Sequence, residues 1–581
     1  MRILFKLAHF LKEYKKECIL GPMFKLFEAI LELLLPTIMA LVINNGVIMK
    51  DETYVLKMGA IMVSMAVLGF CSSMVCQYFA ARASQGFGTT LRNTLFQHIS
   101  SLSYKDIDSF GVVSLTNRIT NDVNQLQLAV AMLIRLVVRA PFIVIGAIIM
   151  SMILDIKLSL ILIATTPFFA IILYFFITRT TPIYKNYQKK LDKLSLTLRE
   201  NLIGVRVIRA FAKTSKEKHR FEKDNDDVTD TAIRVGRVSA LLNPLTSLIM
   251  NGAIIILLWI GAFQINVGEL SPGTIVAFIN YITQILLALI VVANLIVIFT
   301  KATASANRIN EVLDTTSSIE EISNEVYSEG SKHGGEIQFK DVCFRYNDTG
   351  DMALSHINLS ITPGQTIGII GGTGSGKSTL INMIPRFYDV TEGKIEINGI
   401  DVKKYSLKEL RDNIGIVPQK PELFTGTIAE NIRWGNEKAS MEEVVAAARD
   451  AQAHEFIEEL PKGYDTEVTR GGTNFSGGQK QRLTIARALV KNPEIIILDD
   501  ASSALDFATD AALRKAIKEK KNRATLLLVS QRVSAIKNAD KIVVLDDGHI
   551  VGLGNHDDLI KNCEIYREIC LSQLSNKEVA K

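Results

Sequence analysis

The sequence predicts a bundle of membrane-spanning α-helices followed by a soluble α/β domain, and three observations support this. The 581-residue chain is 48% hydrophobic, and its mean hydropathy of +0.22 is high for a soluble protein. The apolar residues concentrate in long runs within the first 300 residues. An acidic, polar stretch then separates these runs from a remainder in which short apolar strands alternate with helical patterns.

We therefore divide the chain into four parts. They are residues 1–16, a short amphipathic elbow helix on the cytosolic membrane surface; 17–308, a six-helix transmembrane domain; 309–335, a linker; and 336–581, the soluble domain.

Six apolar segments can each supply the ~20 residues that a bilayer crossing needs. The predicted spans are residues 18–47, 54–82, 128–154, 158–178, 241–266 and 273–300. The links at 83–127 and 179–240 are long and rich in Lys and Arg, whereas the other links are short. The positive-inside rule then places the long links, both termini and the soluble domain in the cytosol, as expected of a multi-pass protein of the plasma membrane.

Four ionisable residues inside the spans are candidates for a polar pathway, because a charge within a membrane is costly and usually functional. Glu28 and Glu32 lie on one face of the first span, and Arg135 and Arg139 share a face of the third. The alternative for all four residues is pairing between helices or exposure on cytosolic extensions of the helices. It is favoured for the two arginines, which lie near the cytosolic end, whereas both interpretations stay open for the two glutamates.

The soluble domain carries the sequence G-x-x-x-x-G-K-S at 371–378, between an apolar strand and the start of a helix. Glycines let backbone amides approach a phosphate group, and these amides and the helix N-terminus hold its negative charge. Lys377 is expected to reach the outer phosphates and Ser378 to bind Mg²⁺. The predicted nucleotide-binding residues of this loop are Gly371, Gly372, Thr373, Gly374, Ser375, Gly376, Lys377, Ser378 and Thr379.

Further motifs complete a nucleotide site. Tyr346 follows a predicted strand and carries a ring suited to stacking on adenine. Gln419 supplies an amide suited to contact Mg²⁺ or water, and Asp499 ends an apolar strand with a carboxylate suited to hold Mg²⁺. The sequences Phe-Ser-Gly-Gly-Gln and Ser-Ala-Leu-Asp supply the remaining predicted binding residues, which are Ser476, Gly477, Gly478, Gln479 and Asp506.

In this order the motifs resemble those of the ATP-binding cassette (ABC) exporter superfamily, and the six spans with two long inner loops resemble its membrane domain. The resemblance covers nearly the whole chain, and it implies that the soluble part is a cytosolic α/β P-loop ATPase domain. It also implies that two such chains dimerise and hold ATP between the phosphate loop of one and the signature (476–479) of the other. Segments 103–110 and 204–211 of the long links are expected to act as docking elements that relay this motion.

Two positions depart from the family pattern, both at the ATP site built on this chain's phosphate loop. Asp500 stands where the family has Glu, which polarises the attacking water, and a carboxylate withdrawn by ~1 Å can cost ~10²-fold in rate. Gln531 stands where the family has His, and its amide has no protonated form. We therefore expect Asp500 and Gln531 to be the catalytic positions of a slow site. The pattern is similar to the degenerate-site subunit of bacterial heterodimeric multidrug exporters.

The resemblance implies ATP and Mg²⁺ as cofactors, a different half-transporter as partner, and a lipophilic small molecule as substrate in a lipid membrane. A homodimeric exporter or lipid flippase is one alternative, and an ATP-gated channel or regulatory membrane subunit is another. The net charge of only +5 does not indicate a nucleic-acid partner. The six cysteines lack zinc-ligand spacing and are expected to be reduced.

Overall fold

The computed structural model describes residues 6–319, 334–346, 350–501, 504–519 and 524–573. Three predicted features therefore lie partly outside the described residues: the start of the elbow helix, most of the linker, and the segment that leads to Asp506. The chain forms two compact units, which are Met1–Ser100 with Gly111–Thr315, and Ser101–Phe110 with Thr316–Lys581.

The first unit is a helical bundle. Within the described residues, six helices are long and apolar enough to cross a membrane, which confirms the predicted membrane domain. The helices of this part of the chain include two short ones, of which α3 belongs to the second unit and α6 to the first. In order they are α1 (Ala8–Val47), α2 (Glu52–Ser101), α3 (Tyr104–Phe110), α4 (Val112–Leu154), α5 (Ile156–Ile203), α6 (Val205–Ala210), α7 (Thr214–Asn266) and α8 (Pro272–Asp314). Only 11–28% of the most apolar window of each long helix is buried, which leaves an apolar surface suited to lipid tails.

The long helices continue well past the predicted spans. Helix α2 has 50 residues and α5 has 48, which corresponds to roughly 70–75 Å at 1.5 Å per residue. That is more than twice the ~30 Å hydrocarbon core of a bilayer. In the described part of the predicted elbow, Ala8–Tyr14 forms a 3₁₀ helix. It is the first part of α1, and the rest of α1 follows without a break.

Charged residues of the spans are paired inside the bundle. Arg139 Nη2 donates to Glu32 Oε2 at 2.6 Å and so joins α4 to α1. Lys25, which the sequence analysis did not single out, lies 2.7 Å from Glu28 Oε2 on the same helix. No ion pair of Arg135 is present among the described residues. The structure therefore shows pairing between helices for Glu32 and Arg139, whereas Glu28 pairs within its own helix.

The second unit contains the predicted α/β domain. Its strands are β1 (Ile337–Phe344), β2 (Leu354–Ile361), β3 (Thr366–Gly371), β4 (Glu392–Ile397), β5 (Ile400–Asp401), β6 (Ile414–Val417), β7 (Gly426–Thr427), β8 (Glu467–Val468), β9 (Ile495–Asp499), β10 (Thr525–Val529), β11 (Lys541–Asp546) and β12 (His549–Gly554). Its helices are α9 (Lys377–Met383), α10 (Leu407–Asp412), α11 (Ile428–Arg433), α12 (Met441–Asp450), α13 (His454–Glu458), α14 (Gly477–Leu489), α15 (Phe507–Glu519), α16 (Val533–Ile536), α17 (His556–Asn562) and α18 (Glu564–Gln573).

The main sheet has the strand order β12-β11-β3-β10-β9-β6, and all of its pairs are parallel except β11 with β12. A second, antiparallel sheet has the order β2-β1-β4-β5. Every residue of β9 and β10 is buried, as expected for parallel strands covered on both faces. In the register, Val529 of β10 pairs with both Ile369 and Asp499, so the ends of β3, β10 and β9 lie side by side. Ligands bind at such carboxyl ends in open α/β sheets.

Candidate nucleotide-binding site

The phosphate loop leaves the end of β3 and enters α9. Gly371 has no room for a side chain, because a Cβ there would lie 2.1 Å from the carbonyl oxygen of Leu545. Gly374 and Gly376 have φ angles of +85° and +95°, which favour glycine over residues with a side chain. The tip at Gly372 and Thr373 is exposed. The glycines thus shape a tight loop with accessible backbone amides.

Lys377 lies within the curve of this loop. Its Nζ donates to the carbonyl oxygens of Gly372 at 2.6 Å and Gly371 at 3.0 Å. Burial lowers the pKa of Lys377, although the nearby carboxylates of Asp499 and Asp500 oppose that effect. A third hydrogen bond from Nζ reaches Ser375 Oγ at 3.3 Å. All three partners are uncharged oxygens, so the buried ammonium group gains from an anionic phosphate and its position suits phosphate binding.

Ser378 and Asp499 are brought together from different elements. The Ser378 hydroxyl donates to Asp499 Oδ1 at 3.2 Å. Asp499 is only 8% exposed, and burial raises its pKa, an effect that Asp500 reinforces and that Ser378 and Lys377 oppose. A divalent cation would relieve the cost of keeping this carboxylate ionised.

These two residues fit a magnesium ion that shares its remaining ligands with a nucleotide. Mg²⁺ prefers oxygen ligands and is held in nucleotide sites by one or two protein groups together with phosphate oxygens and waters. Among the described residues, no group of three or more His, Cys, Asp or Glu side chains could hold a metal by itself. Gln419, the third predicted ligand, is exposed, and its side chain makes no hydrogen bond to Ser378 or Asp499 in the described structure.

The two unusual catalytic positions lie beside these groups. Asp500 is half-buried, and its backbone has a φ of +46°. Its amide donates to Val529 O at 2.9 Å, which fixes it against the end of β10. Gln531 follows β10 with an exposed side chain. The main chain on both sides of Gln531 is held by Gln573, which donates to Gln531 O at 2.7 Å and accepts from Val533 N at 2.9 Å.

Tyr346 is 41% exposed and lies next to the phosphate-loop helix. Its hydroxyl is hydrogen-bonded to Thr379 Oγ1 at 2.9 Å. The ring is held edge-on by Phe344 and Tyr388, with centroid distances of 4.9 and 5.4 Å. The exposed ring beside the loop is suited to stacking on a base.

The Ser-Gly-Gly-Gln motif starts α14 and is exposed at its first residues. Ser476 and Gln479 form a capping box: Ser476 N donates to Gln479 Oε1 at 2.9 Å, and Gln479 N donates to Ser476 Oγ at 3.3 Å. Gly477 has open space around its Cα. Asp506 has a similar capping role, since its carboxylate accepts from Thr509 N and Oγ1. The hydrogen bond from Thr509 N, and next that from Thr509 Oγ1, lower the pKa of Asp506.

The structure thus gathers the phosphate loop, Tyr346, Asp499, Asp500 and the Gln531 segment at one edge of the sheet. The predicted residues at Gln419 and 476–479 make no hydrogen bond to that group among the described residues. Sequence reasoning missed Tyr388 and Gln573, which contact the site from distant parts of the chain. Neither belongs to a motif.

The fold and this site define a phosphate-loop ATPase domain joined to a six-helix membrane domain. Comparison with known families agrees: residues 18–289 match the ABC transporter transmembrane region, and residues 354–503 match the ABC transporter ATP-binding model. The solved structure of a bacterial Atm1-family ABC exporter with ATP bound matches with a TM-score of 0.78 and 25% identity, covering 98% of this chain and 99% of that one.

Curated relatives match along nearly their whole length. The chain is 38% identical to the uncharacterized ABC transporter ATP-binding protein YfiB of Bacillus subtilis, covering 98% of this chain and 99% of YfiB. It is 32% identical to the putative multidrug export ATP-binding/permease protein YgaD of the same organism, covering 99% of this chain and 100% of YgaD. The chain therefore belongs to the ABC transporter family. It is an exporter with a multi-pass membrane domain and an ATPase domain that powers transport.

Proposed function

We propose that this chain is the degenerate-site half of a heterodimeric exporter that expels lipophilic small molecules. ATP binds at both sites of the dimer, this chain's site turns over slowly, and hydrolysis at the partner's site drives transport. The observation that carries the proposal is the pair Asp500 and Gln531, which replaces Glu and His beside an otherwise complete set of binding groups. ABC exporters work as dimers, so the two sites of such a complex can differ.

The geometry of Asp500 supports a weak general base. Its left-handed backbone, with a φ of +46°, suits the short polar side chain of Asp better than that of most residues. The hydrogen bond from its amide to Val529 O fixes where that side chain begins. Its carboxylate therefore ends one methylene short of the position that a Glu would reach, and ~1 Å of misplacement can cost ~10²-fold in rate.

Binding of MgATP needs groups that this chain retains. Lys377 and the loop amides bind the phosphates, Tyr346 stacks on adenine, and Ser378 with Asp499 holds Mg²⁺. Gln419 is the third proposed metal contact, reached through water or a phosphate oxygen. The remaining proposed contacts are Gly371, Gly372, Thr373, Gly374, Ser375, Gly376 and Thr379 around the triphosphate, with Asp506 at the domain surface.

Two exposed features support a partner chain. The signature residues 476–479 begin a helix at the surface, where another chain's ATP can reach them. The second docking element exposes apolar side chains, with Val207 of helix α6 60% exposed and Phe211, the residue after this helix, 70% exposed. Exposure of these two apolar side chains to solvent is unfavourable, and a second soluble domain would cover them.

A lipophilic substrate is supported by a cavity of about 730 Å³ in the first unit. Its lining is almost entirely apolar and includes Leu7, Phe87, Leu126 and Phe299. The similarity to the putative multidrug exporter YgaD points the same way. We propose that the long links and the ATPase domain face the cytosol, and that 309–335 is the linker between the two domains 17–308 and 336–581.

The test is to purify the chain with a related half-transporter that carries Glu and His at the corresponding positions. Asp500→Asn in this chain is expected to leave most of the ATPase rate of the complex, whereas the matching Glu→Gln change in the partner should abolish it. Equal losses from the two changes would contradict the asymmetric dimer. Strong ATPase activity and transport by this chain alone would favour a homodimeric exporter instead.

A further inference from the structure

A group of aromatic side chains in the second unit connects the nucleotide site to helix α3. Tyr346 contacts Tyr388 edge-on, with ring centroids 5.4 Å apart. Tyr104 of α3 lies 4.6 Å from Phe387 and 6.4 Å from Tyr388. We call these four residues the aromatic bridge. The bridge joins three separate parts of the sequence, at Tyr104, Tyr346 and Phe387–Tyr388, through one continuous series of ring contacts.

Hydrogen bonds anchor the bridge at both ends. The Tyr388 hydroxyl donates to Asp108 Oδ2 of α3 at 3.0 Å. At the other end, the Tyr346 hydroxyl is bonded to Thr379 Oγ1, one residue after the proposed Mg²⁺ ligand Ser378. Burial, reinforced by Asp108, raises the pKa of Tyr388, so its hydroxyl keeps its proton at physiological pH and can act as the donor.

The bridge has room to rearrange. A cavity of about 350 Å³ borders Phe387 and Tyr388 and is lined also by Ser103 and Lys105 next to α3. Tyr346 keeps 41% of its surface exposed. A base stacked on that exposed surface would restrict the Tyr346 ring, and a restricted ring would in turn restrict the neighbouring Tyr388 ring.

We infer that Tyr388 is a positioning residue that makes helix α3 respond to a nucleobase bound on Tyr346. This inference rests on the proposed role of Tyr346 in stacking on adenine. The phosphates contact the loop and Thr379, whereas the base contacts the Tyr346 ring. We therefore expect a ligand without a base to fill the loop and leave the ring contacts of the bridge unchanged. Two non-helical residues, Leu102 and Ser103, join α3 to the membrane helix α2, and Gly111 joins it to α4. A change in the order of α3 can therefore reach both membrane helices through the chain.

The experiment is amide hydrogen exchange on the full-length chain in lipid nanodiscs, with MgADP or with magnesium pyrophosphate, which lacks base and ribose. Both ligands should slow exchange at 371–378, which reports occupancy of the loop. Only ADP should slow exchange at 104–110. Tyr388→Phe, which keeps the ring but loses the hydroxyl, should reduce the ADP effect at 104–110 by about fivefold while occupancy stays intact.

Two further variants separate the bridge from general stability. Asp108→Ala should reproduce the effect of Tyr388→Phe, because it removes the acceptor. Tyr405→Phe is the matched control, since the Tyr405 hydroxyl donates to Ile397 O at 2.9 Å within the same unit. In the part of the chain that the structure describes, Tyr405 makes no hydrogen bond or ring contact with the bridge. It should keep the full ADP response.

The inference is overturned if pyrophosphate slows exchange at 104–110 as much as ADP does. It is also overturned if the ADP response is unchanged in Tyr388→Phe. If ADP fails to protect even residues 371–378, the nucleotide site itself is wrong, and the inference falls with it. If ADP protects residues 371–378 and exchange at 104–110 does not change, the inference is overturned and the proposed nucleotide site still stands.

Discussion

The hydroxyl of Ser378 donates a hydrogen bond to Asp499 across 3.2 Å, and this contact joins the phosphate loop to the end of strand β9. The two residues are far apart in sequence, and the parallel sheet brings them together. The same pairing places a nearly buried carboxylate where no basic side chain forms an ion pair with it in the described structure. The charge of Asp499 therefore destabilises the metal-free domain, although the same charge is needed to bind Mg²⁺.

Asp499→Asn is predicted to stabilise the metal-free protein at neutral pH. Burial raises the pKa of Asp499, so folding becomes less favourable as pH rises through the range between its unfolded and folded values, and the ionised form is destabilising above that range. Asn removes the charge and keeps an oxygen for Ser378. The thermal midpoint of the full chain in EDTA at pH 7.5 should rise, by about 2–4 °C per 1 kcal/mol.

The same variant should lose the extra stabilisation that Mg²⁺ gives in the presence of ATP. Asp546→Asn provides the control, because Asp546 is an exposed carboxylate at the end of the adjacent part of the sheet. A lower midpoint for Asp499→Asn without metal would contradict our account of the buried charge.

Ser476 is predicted to have two separable roles. Its side chain caps α14, and replacing a capping Ser by Ala costs about 1 kcal/mol. Asp is also a good cap, but its charge would repel the phosphates of the ATP that the partner chain holds against this helix. Ser476→Asp should therefore keep the thermal midpoint and abolish the ATPase activity of the dimer, whereas Ser476→Ala should lower both. Full ATPase activity in Ser476→Asp would show that the signature does not face ATP.

Gln573 is predicted to hold the main chain around Gln531 in place. Gln573→Ala removes the two hydrogen bonds to Gln531 O and Val533 N. Loss of about 1.4 kcal/mol should speed amide exchange at 531–536 by about tenfold. The measurement is hydrogen exchange of the full chain without nucleotide. Ser572→Ala is the matched control, since among the described residues that hydroxyl bonds to Ile569 O of its own helix. Equal exchange in the two variants would contradict the proposed role of Gln573.

Much of the fold follows from the sequence because its cues are local. Runs of apolar residues predict the six membrane helices, and the G-x-x-x-x-G-K-S motif after an apolar strand predicts β3 and α9. The ends of the helices could not be predicted from these runs, because α2 and α5 continue as amphipathic helices after their apolar runs end. The pairing of Lys25 with Glu28 was available from their spacing, since residues three apart share a helix face.

Contacts between residues that are distant in sequence could not be predicted from the sequence. Tyr388 meets Asp108, and Gln573 meets Gln531, through tertiary packing that no local pattern encodes. The positive φ of Asp500 is likewise a property of the junction between β9 and β10 rather than of its neighbours in sequence. Motifs predict which chemical groups are present, whereas the supporting residues that position them need the structure.

The central claim is that Asp500 and Gln531 make this chain's ATP site slow. The most direct test is the ATPase rate of the complex with a related half-transporter whose own catalytic Glu is changed to Gln, compared with the same complex that carries the Asp500→Glu/Gln531→His double variant of this chain. ATP binding, measured separately, should be equal in the two complexes. We predict little hydrolysis by the complex with the unmodified chain and an increase of about 10²-fold with the double variant. Rapid hydrolysis by the complex with the unmodified chain, with no gain from the two substitutions, would contradict the account.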